Sequence, residues 1–167
     1  MLSVKLLNKI RAGRERVLTA TVGFLNPVYR IVMPRNKKWG FTKNDLKGFP
    51  EGTLGADLYL WYHNNEFDIL PYLETHDVYH VLLGYQPTII DESRMYFFLL
   101  GNGKRNLETL GTIWHAFVLL PDYWSDLFRH YRKGKGAVCF GGWKFNEMLM
   151  EPTTVLRSQI FSPLLGE

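Results

Sequence analysis

The chain has 167 residues and a mass of 19.5 kDa, enough for one domain with a sizeable core. Apolar residues make up 46% and charged residues 22%, which excludes intrinsic disorder. The single cysteine, Cys139, excludes a disulfide framework or a cysteine-based zinc finger and favours a reducing compartment, while a formal charge of +4 suits contact with anionic lipid or phosphate as well as it suits a mildly basic soluble protein. Aromatic residues are abundant (11 Phe, 9 Tyr, 5 Trp), as expected of a core with wide internal spaces or of an apolar ligand cavity. The longest apolar run, Met95 to Leu100, falls far short of the roughly 20 residues that span a bilayer. No nucleic-acid partner is expected.

Residues 1–33 form a basic amphipathic segment. Apolar positions at Val4, Leu7, Ile10, Val17, Leu18, Val22 and Leu25 recur at loosely helical spacing, and Lys5, Lys9, Arg11, Arg14 and Arg16 supply the charge. Such a helix either lies on a membrane surface or turns a solvated face outward from the core. Residues 34–53, with Pro34, Gly40, Gly48, Pro50 and Gly52, read as a loop-rich connector.

Residues 54–160 read as a helical core. Thr53 can cap a helix through Tyr59, Leu60 and Trp61. The next helix is expected over about 66–83, kinked or begun at Pro71 and ended by Gly84, with Pro87 beyond as a stop signal. Ile89 to Leu100 follows and closes at Gly101-Asn102-Gly103. Leu107 to Leu120 ends at Pro121, and Tyr123 to Tyr131 follows and stops at Gly134 and Gly136. Trp143 to Ile160 gives one or two short helices around Pro152. Strand-like alternation is nowhere sustained, so the fold class is all-α: a single-domain bundle of helix hairpins joined by short Gly/Pro turns.

The chemistry concentrates in Glu74-Thr75-His76-Asp77-Val78-Tyr79-His80 and in Glu92. His76 and His80 stand about 40° apart on one helix face, one turn from each other. Two imidazoles so placed can ligate one divalent ion, and Asp77, about 100° round from His76, can serve as a third ligand or as an acceptor behind one. Glu92 reaches the same point only if the chain doubles back at Gly84 and Pro87, because His80 precedes that break by about one turn and Glu92 follows it by about one. The set suits zinc, manganese or iron and leaves positions open for water or substrate.

The pattern His76-Asp77-x-x-His80, eleven residues, then Glu92 resembles the signature of the coenzyme Q biosynthesis protein four family. Glu74-Thr75 and Gly84 are similar too, and Phe49-Pro50-Glu51-Gly52-Thr53-Leu54-Gly55 resembles that family's upstream Leu-Pro-x-Gly-Thr-Leu-Gly motif. The resemblance covers roughly residues 48–160 and implies a distant member. It implies a helical protein peripheral to membranes, on the cytoplasmic face of an inner membrane or the matrix side in a mitochondrion. Its metal ligands would be His76, Asp77, His80 and Glu92, holding a divalent ion (zinc as bound, or iron, manganese or magnesium). Its ligand would be a prenylated quinone precursor or another isoprenoid lipid. Two roles are implied, removal of the ring carboxyl at carbon one with a hydroxyl put in its place, or organisation of the other quinone-biosynthesis enzymes, in either case with a homodimer among the expected states. The family's basic residues before this stretch are replaced here by Pro71 and Leu73, and its C-terminal Trp-Glu by Trp143-Lys144, with Glu147 nearby.

The isoprenoid tail that the resemblance implies would need an apolar tunnel between helices, with a wall beginning at Met95 to Leu100 or at Leu58, Tyr59, Trp61 and Tyr62, although ordinary core packing is the favoured reading of each of these residues. Two other functions fit the residue types. A metal-dependent phosphohydrolase of the His-Asp type would need His63 and Asp122 or Asp126 to join His76-Asp77. A non-catalytic isoprenoid-binding scaffold would use the metal structurally. His115 and His130 read as structural or surface residues, Cys139 as a small buried group, and Lys133 and Lys135 as a solvated turn. Trp114, Trp124 and Trp143 fit either a membrane interface or the core.

Overall fold

The computed structural model describes residues 39–162 together with Gly13. The amphipathic helix expected over residues 1–33 lies outside the described residues. The described residues carry seven α-helices, α1 (Lys43–Lys47), α2 (Leu54–Asn64), α3 (Glu74–Leu83), α4 (Ile89–Gly101), α5 (Leu107–Leu119), α6 (Trp124–Gly136) and α7 (Thr153–Phe161), with short 3-10 turns at Pro121–Tyr123 and Phe145–Glu147. Among the described residues there is no strand, only an isolated bridge between Thr53 and Pro152. The fold is all-α, as the sequence implies.

Four helices, α1, α2, α4 and α5, start on a side-chain cap. Thr53 accepts from the Ala56 amide at the head of α2, Thr88 from Asp91 on α4, and Asn106 from Thr109 on α5. The C-terminus of α3 is set by Gly84, whose φ of +75° is the left-handed conformation that lets the chain reverse after one turn. That reversal brings the first turn of α4, with Glu92, against the histidine face of α3. Helix α4 then packs most extensively on α6, through a close backbone approach in which a Cβ on Gly134 would collide with the Phe98 carbonyl and one on Gly101 with the Tyr131 carbonyl.

The core runs from Leu54, Leu58 and Tyr62 on α2 through Val78, Tyr79 and Leu82 on α3 to Met95, Phe98 and Leu99 on α4, and closes on Phe140, Phe145, Leu156 and Ile160. A smaller cluster joins Phe97, Ala116, Leu120 and Leu127. Most of the two apolar stripes named as tunnel walls is therefore core packing.

Four local expectations need correction. The helix ending at Leu83 begins at Glu74, not near 66. Pro71 offers no amide donor, and Glu66 (φ 56°) and Tyr72 (φ 76°) hold left-handed conformations that interrupt any helix there. The connector contains α1, begun by a capping box in which the Asp45 amide donates to Thr42 Oγ1 and the Thr42 amide to an Asp45 oxygen. Helix α6 runs through Gly134 to Gly136, because close contact with α4 stabilises glycine where propensity alone would end the helix. Cys139 is exposed, since Phe140 takes the core position and turns its neighbour out, with its Sγ 3.3 Å from the Asn102 carbonyl.

Candidate metal centre

The α3–α4 reversal brings His76, His80 and Glu92 together, so that one ligand atom from each lies within 4.8 Å of the others. His76 Nε2 is 3.2 Å from Glu92 Oε2 and His80 Nε2 is 3.0 Å from Glu92 Oε1. Ligand atoms on one tetrahedral zinc ion stand about 3.4 Å apart, given bond lengths near 2.1 Å, so each histidine already stands near that spacing from Glu92, and the 4.8 Å span of the set would contract around an ion.

Each ring is oriented from behind. His76 Nδ1 faces Asp77 Oδ1 at 3.3 Å, and the Tyr62 hydroxyl donates to the other oxygen, Oδ2, at 2.6 Å. His80 Nδ1 donates to the Tyr85 carbonyl at 3.0 Å. Both arrangements place an acceptor at Nδ1 and turn Nε2 toward Glu92, the orientation a metal-binding imidazole needs once the proton that His76 Nε2 gives to Glu92 is displaced. His80 Nε2 is buried and, although close to Glu92, lies out of line for a hydrogen bond. A buried ring nitrogen this close to a carboxylate, with no hydrogen bond joining them, fits a cation between the two.

The electrostatics agree. Burial works against a charged His76, but hydrogen bonds to Asp77 and Glu92 and the charge of both carboxylates overcome it and raise the ring to about 10. Burial alone would raise the Glu92 carboxyl, yet its contacts with His76 and His80 and their charge hold it down to about 2. Positive charge is favoured between these groups, whether it arrives as a proton or as a metal ion.

Of the four residues expected to ligate, three converge. Asp77 is buried and turns its carboxylate to His76 Nδ1 and Tyr62, behind the ring. Sequence reasoning missed Tyr62 in this role, as well as Tyr85 and Trp61. The Trp61 ring stacks on His80 with centroids 5.1 Å apart and planes 21° off parallel, and its buried Nε1 has no hydrogen-bond partner among the described residues. The converging set does not include His63, Asp122 or Asp126. His63 is exposed and stacks on Tyr59, and Asp126 is engaged by Arg94 and Arg129. His115 bonds the Gly111 carbonyl, Trp143 packs on the core, and Trp114 and Trp124 are exposed.

No protein family profile and no curated protein matches the sequence. Among solved structures, the chain is similar in fold to a protein from Nostoc punctiforme PCC 73102 named "putative ubiquinone biosynthesis protein", with a TM-score of 0.60 and 20% identity over 90% of this chain and 80% of that one. At that identity the likeness establishes a shared helical fold.

Proposed function

We propose that this is a ubiquinone-biosynthesis-like protein that holds a divalent metal on His76, His80 and Glu92 and binds the acid group of a prenylated quinone precursor beside it. The observation that carries the reading is the convergence of two imidazole Nε2 atoms and one carboxylate, with both rings already turned by Asp77 and Tyr85. The shared fold with the Nostoc protein and the sequence pattern around His76 support it from outside the site.

A two-histidine, one-carboxylate set suits zinc or iron and leaves positions open, where the ion would bind the ring carboxylate; if it were iron, dioxygen would take up the two electrons and leave as hydrogen peroxide while the carboxyl departs as carbon dioxide and water supplies the ring hydroxyl. The protein groups bind and orient. Trp61 Nε1 is a buried donor beside His80, suited to an oxygen of the acid group. The tail runs past Trp61 and Phe67, whose rings meet edge to face at 5.4 Å. A membrane surface is part of the same reading: Leu107, Leu110, Trp114, Phe117 and Val118 form an exposed stripe along α5, and Arg129, Arg132, Lys133 and Lys135 are exposed on α6.

The reading is tested by titrating the zinc-loaded or iron-loaded chain with a prenylated hydroxybenzoic acid and with the corresponding prenylated phenol. Metal-dependent binding of the acid, at least tenfold tighter than the phenol, is expected. Equal binding of both, or binding indifferent to metal, contradicts it. Release of carbon dioxide by the iron form under dioxygen separates the decarboxylase from the organising role.

A further inference from the structure

Helix α6 contributes no atom to the three-residue set, yet it holds the turn that holds His80. The carbonyl accepting from His80 Nδ1 belongs to Tyr85, the residue after the Gly84 reversal. The Tyr85 ring lies against His130 on α6, centroids 5.4 Å apart, and its hydroxyl meets His130 Nδ1 at 2.6 Å. A second arm grips the adjacent residue. The Gln86 amide donates to Asp91 Oδ2 at 3.0 Å, Arg94 donates to Asp91 Oδ1 at 2.7 Å, and Arg94 Nε donates to Asp126 Oδ2 on α6 at 2.6 Å. The arms meet on one helix face, since His130 Nε2 is 3.8 Å from Asp126 Oδ1.

We propose that His130 is a positioning residue for His80, acting through Tyr85 and its carbonyl. The inference rests on the metal-centre reading above and adds an outer layer to it. A single backbone oxygen fixes the tautomer and orientation of His80, and a backbone oxygen in a five-residue turn is only as well placed as the turn. The turn's own hydrogen bonds are few: the Gly84 amide to His80 and the Thr88 amide to Gln86. Tyr85 and Gln86 are anchored from outside it instead. Burial holds His130 below its ordinary range, which leaves a neutral ring whose Nδ1 accepts from the Tyr85 hydroxyl while the proton on Nε2 faces Asp126. Ligand-orienting groups at this remove from a metal affect affinity by about 10- to 100-fold.

The test uses cobalt(II) as the probe, with binding and visible absorption read on the full chain. Tyr85→Phe keeps the ring and removes the hydroxyl. His130→Leu removes the acceptor, whereas His130→Asn keeps an oxygen near the position of Nδ1. Tyr85→Phe and His130→Leu are expected to weaken cobalt binding about tenfold and to shift the ligand-field bands, with His130→Asn restoring both. A fold defect alone would lower the melting temperature without moving the spectrum of the folded fraction. Should Tyr85→Phe fail to fold, the His130 pair decides. Wild-type affinity and spectrum in Tyr85→Phe and His130→Leu, or equal loss in His130→Asn and His130→Leu, overturns the proposal while leaving the metal centre intact. Failure of the wild-type chain to bind cobalt at all overturns both.

Discussion

The hydroxyl of Tyr62 donates to Asp77 Oδ2 at 2.6 Å, and the other oxygen of the same carboxylate faces His76 Nδ1 at 3.3 Å. Tyr62 on α2 thus steadies a buried carboxylate that in turn steadies an imidazole on α3. Burial and the charge of Asp77 push the Tyr62 phenol well above its ordinary range, so it remains a donor at any physiological pH.

Asp77→Ala is therefore expected to keep metal stoichiometry near one per chain while weakening affinity by about 10- to 100-fold, as for loss of an orienting carboxylate. His76→Ala is expected to lose the bound ion altogether. Isothermal titration with zinc distinguishes them. Equal loss in the two variants would make Asp77 a direct ligand. Tyr62→Phe leaves Asp77 short of a donor and is expected to destabilise the fold by about 1–3 kcal/mol in chemical denaturation.

Trp61→Phe retains a ring on His80 and removes the buried N–H. Metal binding is expected to persist, and affinity for a prenylated aromatic acid to fall by about tenfold, the loss of one hydrogen bond to a charged oxygen. Unchanged acid binding would remove Trp61 from the ligand contacts.

The pH dependence of metal binding follows from His76. In the metal-free chain its pKa is raised to about 10 from an ordinary 6.5, so stability gained from its ion pair is fully present below about 6.5 and is lost as pH rises through 10. Glu92 is depressed to about 2, so its share is present above about 4.5 and is lost as pH falls through 2. Their combined contribution is complete between about pH 4.5 and 6.5. A metal must displace the His76 proton below pH 10, and zinc affinity is expected to rise about tenfold per pH unit between 6 and 8, with one proton released. Affinity flat across that range, measured with buffers of different ionisation enthalpy, would contradict a protonated His76.

Gly134→Ala puts a methyl group into the Phe98 carbonyl, and overpacking of this kind is expected to cost about 1–3 kcal/mol in urea denaturation. Gly111→Ala, where the added carbon meets open space within α5, serves as the counterpart and is expected to be neutral or stabilising by up to about 1 kcal/mol. Similar effects at both positions would argue against tight α4–α6 contact.

The helical class was legible because apolar spacing, cap residues and Gly/Pro stops agree along most of the chain. The convergence of Glu92 on the two histidines was legible because Gly84 and Pro87 mark a reversal and the offsets on either side match. Side-chain direction was not. A residue one position past His76 projects about 100° away on a helix, and whether it reaches an ion or the far side of the ring depends on Tyr62, fifteen residues upstream, which carries no local sign of that role. The Tyr85 carbonyl is a backbone atom and leaves no trace in residue types. Helix α1 did carry a signal, Thr42 three residues before Asp45, obscured by the glycines and prolines around it. The continuation of α6 through Gly134 depends on the approach of α4, a tertiary contact that overrides local propensity.

The central claim is that His76, His80 and Glu92 hold a metal ion, and elemental analysis of untagged protein tests it most directly, with wild type beside His76→Ala/His80→Ala. Near one zinc or iron per chain in the wild type and none in a variant that still shows helical circular dichroism is the predicted result. Equal metal content in the two proteins, or none in the wild type even after incubation with zinc or iron(II), would contradict it.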